Sequence, residues 1–284
     1  MTGVVQQTAS SLASRVSALI EADDVQLPPL PEVATRVQQI LSSDEADLKE
    51  LNRLLSEDAA IVAALLRLAN SAVFGGMRQV EDLSTAVQRI GFRQLGAIVT
   101  GLSLKGHFSS GSGVKKELLE VLWDHSVTSG FAARAIACMV GADAEKAFLA
   151  GLMHDSGKVL VLTAVEKLEK HGFAEAPTRS TLIELMDGLH AELGQRVLTE
   201  WKLPDDVAQI AKTHEDEERS TDPLLLCVKA ANLITRKLGF HLDPDPEMSV
   251  IEDPIMDDLG LDDMTIASMM VEMEDHLLEM KQLF

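Results

Sequence analysis

AFLAGLMHDSGKVLVL, residues 147–162, carries the densest signal in the chain. Apolar residues at helical spacing stand on both sides of an adjacent His154–Asp155 pair. A helix starting near Glu145 is expected to run through this stretch, with a tight Ser156–Gly157 turn after the pair and Lys158 behind it. Adjacent His and Asp can offer an imidazole nitrogen and a carboxylate oxygen to one divalent ion from a helix end. An HD dipeptide alone is a weak signal. Here it is accompanied by His125 (LWDHS), His190 (GLHAELG) and His214 (KTHED), each in an expected helix. A bundle can bring side chains from several helices to one interior point. For any one histidine, an internally satisfied or surface position is the ordinary alternative, so the shared polar pocket and the bland reading both stay open at this stage.

Working outward from that stretch, every segment reads as helix. ELLEVLWDHSVTSGFAARAIACMV forms one long helix ahead of it, and further helices are expected over 181–201, 204–214 and 222–238. Residues 109–116, SSGSGVKK, read as a hinge between two helical halves. Before the hinge, residues 1–22 present Leu12, Val16, Leu19 and Ile20 on one face. Pro28 and Pro29 force an extended entry, and Pro31 suits a first helical turn. Helices then follow over DLKELNRLL and AAIVAALLRLANSAV, the latter capped by Asp58 and stopped by Gly75–Gly76. TAVQRI is expected to be capped by Ser84 and ended by Gly91, ahead of an apolar helix over FRQLGAIVTGLSL. No alternating pattern bounded by hairpin turns and no fixed-length repeat is present. The expected fold class is all-α.

Residues 243–262, rich in Pro and Asp, read as a linker, and 263–283 as a last helix with Ile266, Met270, Met273, Leu277 and Met280 on one stripe. Residues 243–284 hold 13 Asp or Glu, one Lys and seven of the 12 methionines. Such an acidic, Met-rich helix either packs on its own domain or grips a partner.

The net charge of −20 argues against nucleic acid and against anionic membranes, because phosphate binding needs clustered cations. Acidity also serves solubility. No apolar run of membrane-spanning length and no secretory leader are expected, which reads as a cytoplasmic location. Cys138 and Cys227 stand in apolar helical contexts and are expected to be buried free thiols.

Several segments, in order, resemble the HD-related output domain (HDOD) family, a regulatory relative of the metal-dependent HD phosphohydrolases. LPPLPEVATRVQQIL, LSEDAAIVAALLRLANSAVFG and LSTAVQRIGFRQLGAIVTGL are similar to its N-terminal half. LWDHSVTSGFAARAIA, AFLAGLMHDSGKVLVL and HAELGQRVLTEWKLPDDVAQIAKTHE are similar to the HD-like half. The resemblance covers roughly 25–240 and implies a multi-helix HD-domain-like bundle with an N-terminal helical half packed against it. It divides the chain into an N-terminal helix (1–24), the N-terminal half (25–110), the HD-like half (111–240) and an acidic linker with a C-terminal helix (241–284).

Carried over residue by residue, the resemblance implies metal ligands at His125, His154, Asp155, His190 and His214, and at Asn232, where the family places an Asp. Thr213 replaces the first His of the family's HHE pattern, which weakens a second metal position. Asn232 leaves Asp155 as the lone anionic ligand of that set. Imidazoles with one carboxylate suit a transition metal such as Fe, Mn, Zn or Ni and suit Mg²⁺ or Ca²⁺ poorly. The GYP motif of cyclic di-GMP phosphodiesterases is missing, with DEERSTDP in its place, which argues against cyclic dinucleotide hydrolysis.

The resemblance thus implies a signal-transduction module acting through a signalling protein partner, a nucleotide or phosphate-containing ligand, or both, with oligomerisation open. The alternative is a metal-dependent phosphohydrolase in which the metal activates water, Asp155 serves catalysis and Lys158 steadies a phosphate as a point charge. For Lys158 a solvated helix-end position is the competing reading.

Overall fold

The computed structural model describes residues 12–20, 22, 29–41, 48–74, 78–109, 112–172 and 176–284. Among them there are helices, turns and irregular segments but no strand. The expected first helix is seen as α1, residues 12–20, with Leu12, Val16 and Ile20 buried. Residues 1–11, Pro28 and the Gly75–Gly76 stop lie outside the described residues.

Five more helices precede the hinge: α2 (Glu32–Leu41), α3 (Leu48–Leu55), α4 (Ala59–Ala69), α5 (Leu83–Ile90) and α6 (Phe92–Leu104). Asp58 caps α4 as expected, its carboxylate accepting from the Ala60 and Ile61 amides. That helix ends earlier than the glycines predict. At Asn70 the side-chain amide donates to the carbonyls of Leu66 and Val80 and accepts from the Val80 amide, so the chain turns there. The cap of α5 is Asp82, not Ser84, because Asp82 lies one residue before the first helical turn and accepts from the Thr85 amide. Gly91 ends α5 at φ +90°, a value an L side chain rarely adopts.

The hinge is shorter than SSGSGVKK suggests. A 3-10 turn occupies Lys105–Ser109, and α7 already begins at Gly113 and runs to Val140. Around α7 stand α8 (Ala144–Met153), α12 (Pro223–Lys237) and α14 (Asp263–Leu283), while α9 (Ser156–Lys170), α10 (Arg179–Glu200) and α11 (Asp205–Thr213) pack successively against one another. α6 packs on α2 and on α8, and a single continuous apolar core runs from Leu12 to Phe284. Within the acidic segment a short α13 (Pro254–Asp258) interrupts the linker.

The C-terminal helix packs on its own chain, against α7 and α4. Its buried stripe is Ile266, Met269, Met273, Leu277 and Met280; Met269 replaces the expected Met270, which is only half-buried. Of the two free cysteines, Cys227 is buried and Cys138 is exposed, because Cys138 lies in the last turn of α7 beyond the buried Ala137. Ala144–Lys170, taken as one stretch, is long and apolar enough to cross a membrane, contrary to expectation. It is instead the interior of this fold, with 83% of its apolar window buried.

Candidate metal centre

The stretch around His154 is two helices. α8 ends at Met153, His154 and Asp155 form the break, and Ser156 and Gly157 open α9 instead of forming a separate turn. The break places both side chains at a helix–helix junction, where neither has to lie along a helix face. Gly157 makes the junction possible. A Cβ there would lie 2.0 Å from the His190 carbonyl oxygen and 2.6 Å from the Gly194 amide nitrogen. The backbone of α10 therefore rests directly on the start of α9, which brings His190 to the pair. On the other side, a Cβ at Gly151 would lie 2.6 Å from the Ser129 carbonyl oxygen, so α8 lies close on α7 just beyond His125.

Four imidazoles and one carboxylate converge at this point. Oδ2 of Asp155 lies 3.5 Å from Nε2 of His125 and 3.7 Å from Nε2 of His154. Its Oδ1 lies 3.5 Å from Nε2 of His190 and 3.5 Å from Nε2 of His214. The two histidine pairs are themselves close, at 3.1 Å for His125–His154 and 3.3 Å for His190–His214. All five side chains are buried, none more than 4% exposed. One carboxylate thus faces two imidazole pairs, giving two three-residue groups that can each hold a metal ion and that share Asp155.

The backbone fixes the imidazole tautomers. His125 Nδ1 lies 2.7 Å from the Phe240 carbonyl and His154 Nδ1 lies 2.7 Å from the Gly151 carbonyl. Nδ1 of His190 and of His214 likewise meet the carbonyls of Met186 and Ala211, at 2.9 and 3.1 Å. A carbonyl only accepts, so each Nδ1 carries a proton and each ring turns its Nε2 inward. This is the arrangement in which outer hydrogen bonds orient metal-ligating histidines.

Burial disfavours protonation at three of the four rings. Burial pushes the His125 pKa down to about 3, against the opposing pull of Asp155. Burial likewise lowers His154 well below its ordinary value and lowers His190. Paired neutral lone pairs around a carboxylate repel one another unless a cation lies between them. The donor set, borderline-soft nitrogen with one oxygen, fits a divalent transition metal. Oδ1 of Asp155 is buried with no hydrogen-bond partner, as a ligand atom would be.

Lys158 departs from the solvated helix-end reading. It is 2% exposed, so it is not a solvated helix-end residue, and its Nζ lies 2.8 Å from Oδ2 of Asp155. Burial alone would lower its pKa, but the Asp155 carboxylate outweighs burial and raises it, so the ammonium stays charged. Burial likewise would raise the pKa of Asp155. The Lys158 ammonium leads the interactions that outweigh it and hold the carboxyl well below its usual range.

Asn232 sits on α12 with its side-chain Oδ1 buried and without a hydrogen-bond partner. Three residues on, the Thr235 hydroxyl lies 3.5 Å from His125 Nδ1. Thr213 is not part of the cluster; its hydroxyl donates to the Gln209 carbonyl on its own helix. Asp155, His190 and His214 form a group that could hold a metal ion without it.

Three neighbours escaped the reading of the sequence. The His241 ring stands edge-on to His125 with centroids 4.9 Å apart, in the loop after α12, where no periodicity marks it. Asp187 lies 3.7 Å from Lys158 Nζ. Its position three residues before His190 on one helix face is a signal that could have found it. Glu215, next to His214, lies 3.7 Å from His190 Nε2 and 3.9 Å from His214 Nε2.

Comparison with known proteins gives this geometry a family. The HDOD domain family matches residues 27–217. An uncharacterized protein of Treponema pallidum (strain Nichols) is 27% identical over 244 residues, which cover 82% of this chain and 46% of the relative. The chain therefore spans about half the length of that relative. Among solved structures, a candidate metal-dependent phosphohydrolase from Shewanella amazonensis SB2B superposes with a TM-score of 0.78 at 22% identity, covering 98% of this chain and 99% of the other. An HDOD domain protein of unknown function from Geobacter sulfurreducens superposes with a TM-score of 0.72 at 21% identity, covering 95% and 98%. At these identities the likeness establishes the fold. The match over two thirds of the sequence establishes more: the chain belongs to the HDOD family.

Proposed function

We propose that this chain is a signal-transduction module that acts by binding a partner protein, with its histidine–aspartate cluster serving as a closed metal centre and not as an efficient hydrolytic site. Burial carries this reading. His125, His154, Asp155, His190 and His214 are 0–4% exposed, and Lys158 covers one oxygen of the single carboxylate they share. A phosphoester needs open coordination positions at a catalytic metal, and catalytic sites keep such a position where structural ones are closed. Family membership and Asn232, which stands where HD enzymes carry a carboxylate, support the same reading.

One ion would be held by His125, His154 and Asp155 and a second by Asp155, His190 and His214, with Asn232 offering a neutral oxygen. The softness of the set favours Fe, Mn, Zn or Ni over Mg²⁺ or Ca²⁺. A nucleotide or other phosphate-containing effector belongs to the same reading as a ligand and not as a substrate.

A second reading, a metal-dependent phosphohydrolase, is favoured by the five converging ligands themselves. One experiment separates the two. The protein is purified free of metal, reloaded with each of Fe, Mn, Zn and Ni, and assayed for metal content and for phosphodiesterase and phosphomonoesterase turnover. The regulatory reading expects bound metal that His154→Ala loses, and no turnover. Turnover that His154→Ala abolishes would replace it with the hydrolase.

A further inference from the structure

α14 carries two apolar stripes, and only one of them is used by the fold. The inner stripe is buried against α7 and α4. It is held there by Lys281 to Asp124 at 2.7 Å and by the Glu279 carboxylate, which accepts from the Ala72 amide at 3.2 Å. On the outer face, Met264, Val271 and Leu278 are 82, 72 and 46% exposed. They are seven residues apart, so they recur just short of every two turns and form a slowly drifting line of roughly 21 Å along the helix. Ala267, also exposed, lies beside the line. Such a line supplies one of the two positions per heptad by which paired helices meet, and Ala267 adds a small residue at the second.

We infer that this outer face of α14 is a docking surface for a cationic amphipathic helix of a partner protein. The inference rests on the partner-binding reading above and names the chemistry of the partner. Charge selects the occupant. The exposed carboxylates Glu272, Glu274 and Asp275 flank or interrupt the line, within a segment, 243–284, that holds 13 Asp or Glu and one Lys. A second copy of this chain, itself at −20, would set carboxylate against carboxylate along the seam. An anionic membrane surface is repelled in the same way. A helix with apolar residues at heptad spacing and Lys or Arg beside them satisfies both the seam and the charge. To span Met264 to Leu278 it needs about 15 residues. Unbranched Met264 lets the end of the seam adapt to the partner's side chains.

The test uses the full chain and two 18-residue peptides of identical Leu, Lys, Arg and Ala composition. One has Leu at heptad a and d positions, and the other is scrambled. Binding is followed by calorimetric titration. The surface predicts that the ordered peptide binds at least tenfold more tightly than the scrambled one. The triple variant Met264→Ser, Val271→Ser, Leu278→Ser is expected to lose that discrimination while melting like the parent. The pair Glu274→Lys, Asp275→Lys is expected to weaken the ordered peptide by a similar factor. Equal binding of the two peptides would overturn the inference, as would an unaffected triple variant. A parent chain that sediments as a dimer, made monomeric by the triple variant, would assign the face to a second copy and also overturn it. Failure here is distinguishable from failure of the regulatory reading, which is decided by turnover.

Discussion

Asp155 and Lys158 form a buried ion pair within a cluster where burial disfavours protonation of His125, His154 and His190. Removing the cation from such a pair strands the carboxylate, at about 3–5 kcal/mol. Lys158→Met is therefore expected to lower the melting temperature of metal-free protein clearly. It also frees Oδ2 for an ion at His125 and His154, so added Zn²⁺ should raise the melting temperature of this variant more than that of the parent. Thermal melts with and without metal measure both; an equal metal response in the two proteins would contradict the competition. Gly157 yields a second expectation. Gly157→Ala puts a Cβ 2.0 Å from the His190 carbonyl, and overpacking of this kind costs about 1–3 kcal/mol, so stability and metal content should fall together. The cluster members were legible in the sequence because His154 and Asp155 are adjacent and the other histidines sit in apolar helices. Lys158's burial was not legible, since its position behind a glycine reads equally well as a solvated helix end. His241 was invisible because it lies in a loop and is placed only by the packing of α12 on α7.

Among the elements, the helices that deliver the cluster's side chains depend on their ends. α8 brings His154 in at its C-terminus, and its N-terminus is capped by Asp143, which accepts from the Glu145 and Lys146 amides. Asp143 also pairs with Arg93 at the start of α6, at 3.0 Å. The ion pair is exposed and contributes little, but loss of the cap in Asp143→Ala is expected to cost about 1 kcal/mol, read from denaturant midpoints. At Asn70 the stakes are larger, because its amide satisfies both the amide and the carbonyl of Val80. Asn70→Ala leaves those groups without it and is expected to cost about 1–3 kcal/mol. The helices were readable from period and caps. Their boundaries were less so: Asn70, Asp82 and the start of α7 at Gly113 each displaced an end inferred from Gly or Ser. At Asn70 and Asp82 a side-chain hydrogen bond outweighed the local turn signal, whereas Gly113 opens α7 itself from a left-handed φ of +57°.

For the whole molecule, one core joins residues on both sides of the hinge, with α6 laid on α8. A fragment of residues 113–240 would expose the face that α6 and α14 cover, so it is expected to be poorly soluble. A soluble fragment with a cooperative unfolding transition would show two independent units instead. The same packing holds α7 to α12 so that the four imidazoles and Asp155 meet, and the central claim is that they meet around metal. X-ray data from metal-loaded crystals, collected at the metal's absorption edge, test it most directly. The account predicts anomalous density about 2.0–2.2 Å from the Nε2 atoms of His190 and His214 and from an Asp155 oxygen, with a further site at His125 and His154. Loaded crystals without anomalous density there, or imidazoles turned away from Asp155, would contradict it.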